Sequence, residues 1–180
     1  MDPIEILKKY YNDDSELYKI LFEHSLSVAN KALAIADMHS EMIINKAFIY
    51  EASMLHDIGI IYTDAPKVHC YGDSPYICHG YLGSEMLRKE GYELHALVCE
   101  RHTGSGITKE EIIKRELPIP ARDMLPVSLE EKLICFADKF FSKTKLDKEK
   151  PIEKVRKGIA KHGEDSLSRF DEMLRLFLGS

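Results

Sequence analysis

Apolar residues recur at helical spacing along most of the chain. Leu17, Leu21, Val28, Ala32 and Ile35 are three, four or seven residues apart, which predicts one face of a long amphipathic helix. The same periodicity predicts helices in five further stretches, which are 41–55 with Ser40 as its cap, 75–86, 94–102, 128–141 and 167–177. No segment alternates between β-branched and polar residues, so the pattern predicts no sheet. The predicted fold class is all-α, a helical bundle.

Two stretches interrupt this pattern, at residues 58–74 and 116–127, where glycines and prolines collect. Loops of this length inside a compact domain are commonly functional, so we expect them to shape a pocket. Ser128 followed by Glu131 is a capping box that predicts a helix start between the second loop and the next apolar run. We interpret residues 1–180 as a single domain, with its core at about 17–141 and a C-terminal helical extension at about 150–178.

Composition and charge narrow the class of protein. Of the 180 residues, 44% are hydrophobic and 31% are charged, as is usual for a globular domain. The net charge of −5 argues against general nucleic-acid binding. No apolar run approaches the ~18 residues of a membrane helix, and the N-terminus does not resemble a signal peptide, so we expect a cytoplasmic protein with no membrane contact.

Two minor features have simple interpretations. The cysteines show no Cys-x-x-Cys spacing, which favours buried free thiols over disulfides or a zinc site; they are Cys70, Cys78, Cys99 and Cys135. The lysine-rich segment 143–157 also contains Asp147, Glu149 and Glu153. Because the charges are mixed, we predict a solvated face there rather than a polyanion site.

The sharpest chemical feature is the run His56-Asp57-Ile58-Gly59 at the end of the second predicted helix. Gly59 permits the helix to stop, which makes it easier for two adjacent side chains to serve one ion. Histidine offers a neutral nitrogen, and aspartate offers two oxygens that can bridge two cations. A His-Asp dipeptide is common, so its surroundings decide the interpretation.

Two further candidates lie on apolar helix faces. His24 comes three residues after Leu21 and four before Val28, and Asp138 has a similar position in a later helix. A buried carboxylate is costly unless it is paired or bound to a metal. Taken alone, His24 is better explained as a hydrogen-bonded core histidine, and an arginine salt bridge is the competing explanation for Asp138.

Two histidines complete the set, His79 in the first turn of the third predicted helix and His102 at the end of the fourth. The six candidates come from different helices or helix ends, as in dinuclear sites built inside bundles. They are His24, His56, Asp57, His79, His102 and Asp138.

This order of residues resembles the HD-domain superfamily of metal-dependent phosphohydrolases, and residues 56–59 match its HDIG form. The resemblance covers about residues 17–141. Within the superfamily, the chain looks most similar to the dinuclear HD-type diadenosine tetraphosphate hydrolases. That likeness depends on Arg101-His102-Thr103-Gly104 and on Leu129-Glu130-Glu131-Lys132 leading to Ala137-Asp138.

The resemblance implies a helical bundle with a metal site in its core. His24, His56, Asp57 and Asp138 would hold a first ion, and Asp57 would bridge to a second ion on His79 and His102. It also implies two divalent transition metals, iron or manganese, whose hydroxide attacks a phosphoester or phosphoanhydride. The expected partner is a small phosphorylated substrate, a nucleotide by resemblance. The sequence leaves the oligomeric state open.

Substrate contacts are less defined. Ile60 stands where many relatives carry a lysine, and Glu100 stands where dinucleotide hydrolases tend to be basic. The candidate phosphate ligands are Lys67, Arg101, Arg122 and Lys139. His95 is expected to support His102 or to pack in the core. His69 faces either substrate or solvent.

Two other functions fit the same residues. Some HD proteins with these six positions resemble inositol oxygenase, which uses a mixed-valence di-iron site. A non-catalytic nucleotide-binding module is the third interpretation, and it ranks last because such proteins usually lose ligands.

Overall fold

The computed structural model describes residues 1–146 and 148–179, so Asp147 and Ser180 lie outside the described residues. Helices dominate this part of the chain, which confirms the all-α class. They are α1 (Pro3–Tyr10), α2 (Glu16–Met38), α3 (Lys46–Leu55), α4 (His79–Lys89), α5 (Glu93–Arg101), α6 (Lys109–Lys114), α7 (Leu129–Asp138), α8 (Ile152–Ala160) and α9 (Glu164–Leu178).

Side-chain caps fix where several helices begin. The Ser128 hydroxyl accepts a hydrogen bond from the Glu131 amide and so starts α7 as predicted. The Glu131 carboxylate does not complete a capping box, because it accepts from the Val127 amide and from Arg101 instead. The prediction that Ser40 caps the second helix is wrong, because α3 begins after Asn45, whose side chain caps it.

Three helices fall outside the six predicted stretches. Helix α8 lies within the predicted C-terminal helical extension, and α1 and α6 each have a sequence signal. Helix α1 starts with an Asp2 cap followed by Pro3, and α6 starts with a capping box of Thr108 and Glu111. Both are short, at 8 and 6 residues, so apolar periodicity had little length in which to show.

The loop at 58–74 contains a small antiparallel hairpin, so the prediction of no sheet is wrong there. Strand β1 (Asp64–Ala65) pairs with β2 (Cys70–Tyr71), and a 3₁₀ turn at Pro66–Val68 joins them. His69 closes that turn in the left-handed region, with φ of 60°. Strands of two residues are too short to show the alternation that identifies a strand in sequence.

Two hydrophobic clusters form the core. One packs α2, α3 and α7 against α8 and α9 around Phe136, and the other packs α1 and α4 against α2, α3 and the 58–62 turn. Helix α2 contributes Val28 to the first cluster and Leu21 to the second, and His24 lies between them. The boundary between the two clusters is therefore where polar side chains meet.

The four cysteines are buried free thiols, as expected. None of the helices within residues 1–146 and 148–179 is long and apolar enough to cross a bilayer.

Candidate metal centre

Helix ends bring the six predicted residues together; we call this set the six-residue centre. His24 comes from the middle of α2, His56 and Asp57 directly follow α3, His79 opens α4, His102 follows α5, and Asp138 ends α7. Gly59 allows α4 to approach closely, since a Cβ there would lie 2.1 Å from the His79 carbonyl oxygen.

One group of four side chains meets at Asp57 Oδ2. That oxygen lies 3.2 Å from His24 Nε2 and 3.0 Å from His56 Nε2. Asp138 Oδ1 lies 3.0 Å from the same His24 nitrogen and 3.4 Å from that of His56. One atom from each of the four residues therefore faces a single point, close enough together to hold one ion.

A second group meets at the other oxygen of the same carboxylate. Asp57 Oδ1 lies 3.3 Å from His79 Nε2 and 3.4 Å from His102 Nε2. The two imidazole nitrogens are 3.1 Å apart. Because its two oxygens face different groups, Asp57 has the geometry of a carboxylate that can bridge two cations.

Backbone carbonyls orient three of the four histidines. His56, His79 and His102 each donate through Nδ1 to the carbonyl three residues earlier, at 2.6, 2.6 and 2.7 Å. This places a proton on Nδ1 of each ring and turns Nε2 toward the centre. A hydrogen bond of this kind is usual for a histidine that ligates a metal.

Several polar atoms of the centre have no partner with hydrogen-bond geometry among the described residues. They include His56 Nε2 and Asp57 Oδ1, both buried, whereas Asp57 Oδ2 forms an ion pair with Lys143. Buried polar atoms in this condition are costly, and facing nitrogen lone pairs repel each other. A divalent cation would bind the unpaired polar atoms and also remove the repulsion between the facing nitrogens. The buried cluster therefore fits divalent metal binding.

Burial and charge set the protonation of these groups. Burial lowers the pKa of His79 to about 3 and also lowers that of His102. Burial lowers the pKa of His56 too, but the carboxylates of Asp57 and Asp138 outweigh it and raise the value to about 9. Burial raises the pKa of Asp57, yet His56 and Lys143 hold it well below its usual range.

A cavity of about 720 Å³ opens onto the centre, and His24 and Asp138 form part of its lining. Seven lysines also line it; we call them the lysine wall. They are Lys67, Lys139, Lys143, Lys150, Lys154, Lys157 and Lys161.

The prediction of a solvated face at 143–157 is confirmed for most of its described charged residues, which are exposed, but not for Lys143 and Lys150. Lys143 Nζ lies 2.5 Å from Asp57 Oδ2, and its side chain is only 12% exposed. Glu149, in the same segment, does not pair with Lys143 but with Lys31 on α2. Charge counting along the segment cannot reveal that four of its lysines line the cavity while Glu149 pairs with Lys31.

The predicted phosphate ligands separate into two pairs. Lys67 and Lys139 line the cavity, whereas Arg101 and Arg122 are not among its lining residues. Lys139 Nζ lies 2.6 Å from Asp138 Oδ2 and donates to the His102 carbonyl at 2.9 Å. Arg101 instead pairs with Glu131.

An ion pair with Glu100 holds Arg122 away from the cavity. The Glu100 carboxylate, on a side chain 5% exposed, binds both Arg88 and Arg122. The acidic residue at this position thus ties two arginines together away from the cavity. Ile60, the other departure from the expected pattern, is fully buried in the core cluster, so this position has no access to a phosphate.

The two uncertain histidines lie apart from the centre. His95 pairs with Glu51 at 3.1 Å and contacts the rings of Phe48 and Tyr92, which is a packing role. His69 is exposed on the hairpin turn and is not among the residues that line the cavity.

A family model described as HD domain matches residues 21–143. An uncharacterized protein of Methanocaldococcus jannaschii is 38% identical over 144 residues, which is 78% of this chain and 78% of that protein. A tRNA (cytidine(56)-2'-O)-methyltransferase of Thermoplasma volcanium is 27% identical over 178 residues, covering 98% of this chain but 46% of that enzyme. An enzyme of the same name from Picrophilus torridus is 31% identical over 138 residues, 76% of this chain and 34% of that enzyme. No solved structure gives a significant match.

Proposed function

The chain belongs to the HD-domain family, and on that premise we propose that it is a metal-dependent phosphohydrolase of small phosphorylated compounds. The observation that carries this proposal is the placement of Asp57, whose two oxygens face two separate groups of histidines. The chain spans less than half of each methyltransferase that it resembles, so we assign no methyl transfer to it.

The six-residue centre would hold two divalent transition metals, with iron or manganese the best candidates. His24, His56, Asp57 and Asp138 would hold one, and Asp57 would share the other with His79 and His102. When bound, two such ions lower the pKa of a water and offset charge on phosphoryl oxygens. No cysteine belongs to either ligand group, and imidazole with carboxylate suits several divalent metals.

Other side chains at the mouth of the centre suit an anionic substrate. Lys139 and Lys143 place ammonium groups beside the two carboxylates, where they can bind phosphoryl oxygens. Burial raises the pKa of Tyr76 to about 12, so its phenol stays protonated and can donate a hydrogen bond into the cavity. A cavity with these cations suits a phosphate better than the neutral diol of an oxygenase.

The proposal is tested with protein supplied with Mn²⁺ or Fe²⁺ and assayed for phosphate or nitrophenol release. The substrates are 4-nitrophenyl phosphate, bis(4-nitrophenyl) phosphate and ATP. We expect release that a chelator abolishes and that Asp57→Asn reduces at least about 1000-fold, equal to about 4 kcal/mol of barrier. Asp64→Asn, in the exposed hairpin, is the matched control and should keep its activity. No release with either metal, or equal rates in both variants, would contradict the proposal.

A further inference from the structure

We propose that three lysines of the C-terminal segment bind the non-reacting phosphates of a linear oligophosphate whose reacting phosphate lies at the six-residue centre. They are Lys154 and Lys157 of α8 and Lys161, which caps its C-terminus; we call them the α8 lysines. This inference rests on the proposed function and names the substrate class of the same site.

The α8 lysines form a row on one side of their helix. They are three and four residues apart, which places them on a common face. At a rise of 1.5 Å per residue, the row extends about 10 Å. The apolar residues Val155 and Ile159 anchor the helix in the core cluster, and the lysine side chains line the cavity. The row therefore runs along the cavity wall.

The described charged side chains that line this cavity are mostly positive. Among the described residues that line it, Asp138 is the one carboxylate, and it is already held by Lys139 and His24. Within residues 1–146 and 148–179, no carboxylate lies within ion-pair distance of an α8 lysine. By contrast, Arg156 on the same helix is paired, because it donates two hydrogen bonds of 2.8 Å to the Asp171 carboxylate. Cations without partners in a concave wall concentrate anions.

The spacing of these charges indicates a chain of phosphates rather than a single one. A lone phosphate at the centre would be met by Lys139 and Lys143, which contact Asp138 and Asp57. The α8 lysines are additional and come from a different element. A row of cations matches the repeating negative charge of linked phosphates.

The volume of the cavity and the net charge of the chain favour a free oligophosphate over a nucleic-acid strand. Its volume of about 720 Å³ lies within the range of small-molecule pockets, which is about 300 to 1000 Å³. The net charge of −5 also argues against a general nucleic-acid surface. The α8 lysines lie after residue 143, where the family match ends, so they lie outside the matched domain.

The test measures binding of sodium tripolyphosphate and of orthophosphate to the full chain by calorimetry. The variant is Lys154→Ala with Lys157→Ala, and the matched control is Lys109→Ala with Lys114→Ala on α6. All four lysines are exposed, and both double variants lose two positive charges. Heat from chelation of bound metal is common to all three proteins, so the difference between the variants reports the α8 lysines.

We expect the native chain to bind tripolyphosphate at least tenfold more tightly than orthophosphate. The α8 variant should lose at least fivefold in tripolyphosphate affinity, and the control should stay within twofold. Equal affinity for the two anions, or equal losses in the two variants, would overturn the inference. Selective loss of tRNA binding in the α8 variant, without loss of tripolyphosphate binding, would overturn it in favour of a nucleic-acid surface. This experiment measures binding and not turnover. A failure of the inference about the α8 lysines is therefore distinguishable from a failure of the hydrolase proposal.

Discussion

The six-residue centre and the lysine wall share one cavity but are built in opposite ways. In the centre, His56 and Asp57 are fully buried, and carbonyl hydrogen bonds fix three imidazole rings. In the wall, Lys154 and Lys157 are exposed on long flexible stems. Fixed groups suit charge that develops in a transition state, whereas mobile cations suit the binding of an anion.

The two regions also differ in their place along the chain. The centre lies within the family match at residues 21–143, and the α8 lysines lie beyond it. Because the centre would hold the ions and the α8 lysines would only bind the anion, we expect changes in the centre to act on kcat and changes in the α8 lysines to act on KM. Variants in each region, and changes in salt, separate the two contributions.

Replacing His102 by alanine should remove one of the two proposed ions and lower kcat by about 100-fold or more, with KM changed little. Steady-state kinetics together with elemental analysis measure both effects. His69→Asn, which removes an exposed imidazole outside the cavity, is the control and should keep the native metal content. An unchanged metal content in His102→Ala would show that this histidine holds no ion.

Lys143 is the point where the two regions meet, since it lines the cavity and contacts Asp57. Lys143→Met keeps the length of the side chain and removes its charge, so we expect both a higher KM and a kcat about tenfold lower. Lys145→Met, in the same turn but exposed, is the matched control. A change in KM alone would assign Lys143 entirely to the wall.

Salt should separate the regions without any mutation. Exposed charges are screened over a Debye length of about 10 Å at 0.1 M, whereas buried ones are screened much less. Raising NaCl from about 0.05 M to about 0.5 M should therefore increase KM for an oligophosphate severalfold and leave kcat nearly unchanged. Initial rates across this range measure both constants. A parallel fall in kcat would contradict the division.

Arg122→Ala should have the smallest effect on turnover, because Glu100 holds Arg122 outside the cavity lining. We expect kcat and KM within about twofold of native, and a loss of about 1 kcal/mol of unfolding free energy because the pair is partly exposed. Urea unfolding and kinetics check these values. A large rise in KM would show that the arginines take part in substrate binding.

Local spacing was enough to predict where the residues of the centre point. The three- and four-residue steps around His24 place it inward in α2, and comparable spacing does the same for Asp138 in α7. Each of these inferences needs only one helix. The short gap from Leu55 to Gly59 likewise predicted a helix end at the His-Asp pair.

Long-range placement could not be predicted in the same way. Glu100 captures Arg122 across 22 residues, and only the folded chain reveals that pairing. The lysines of the C-terminal segment reach the cavity because α8 packs its apolar side on the core. A charge count along residues 143–157 does not show which lysine side chains point toward the cavity. For that reason it predicted a solvated face.

Elemental analysis of the full chain shows whether the six-residue centre holds two metal ions. The protein is purified without chelator and without a metal-affinity tag, and is measured before and after incubation with Fe²⁺ or Mn²⁺. We predict two transition-metal ions per chain, lost together in Asp57→Asn and retained in Asp64→Asn. No bound metal after reconstitution, or a single ion that survives the loss of the Asp57 carboxylate, would contradict the account.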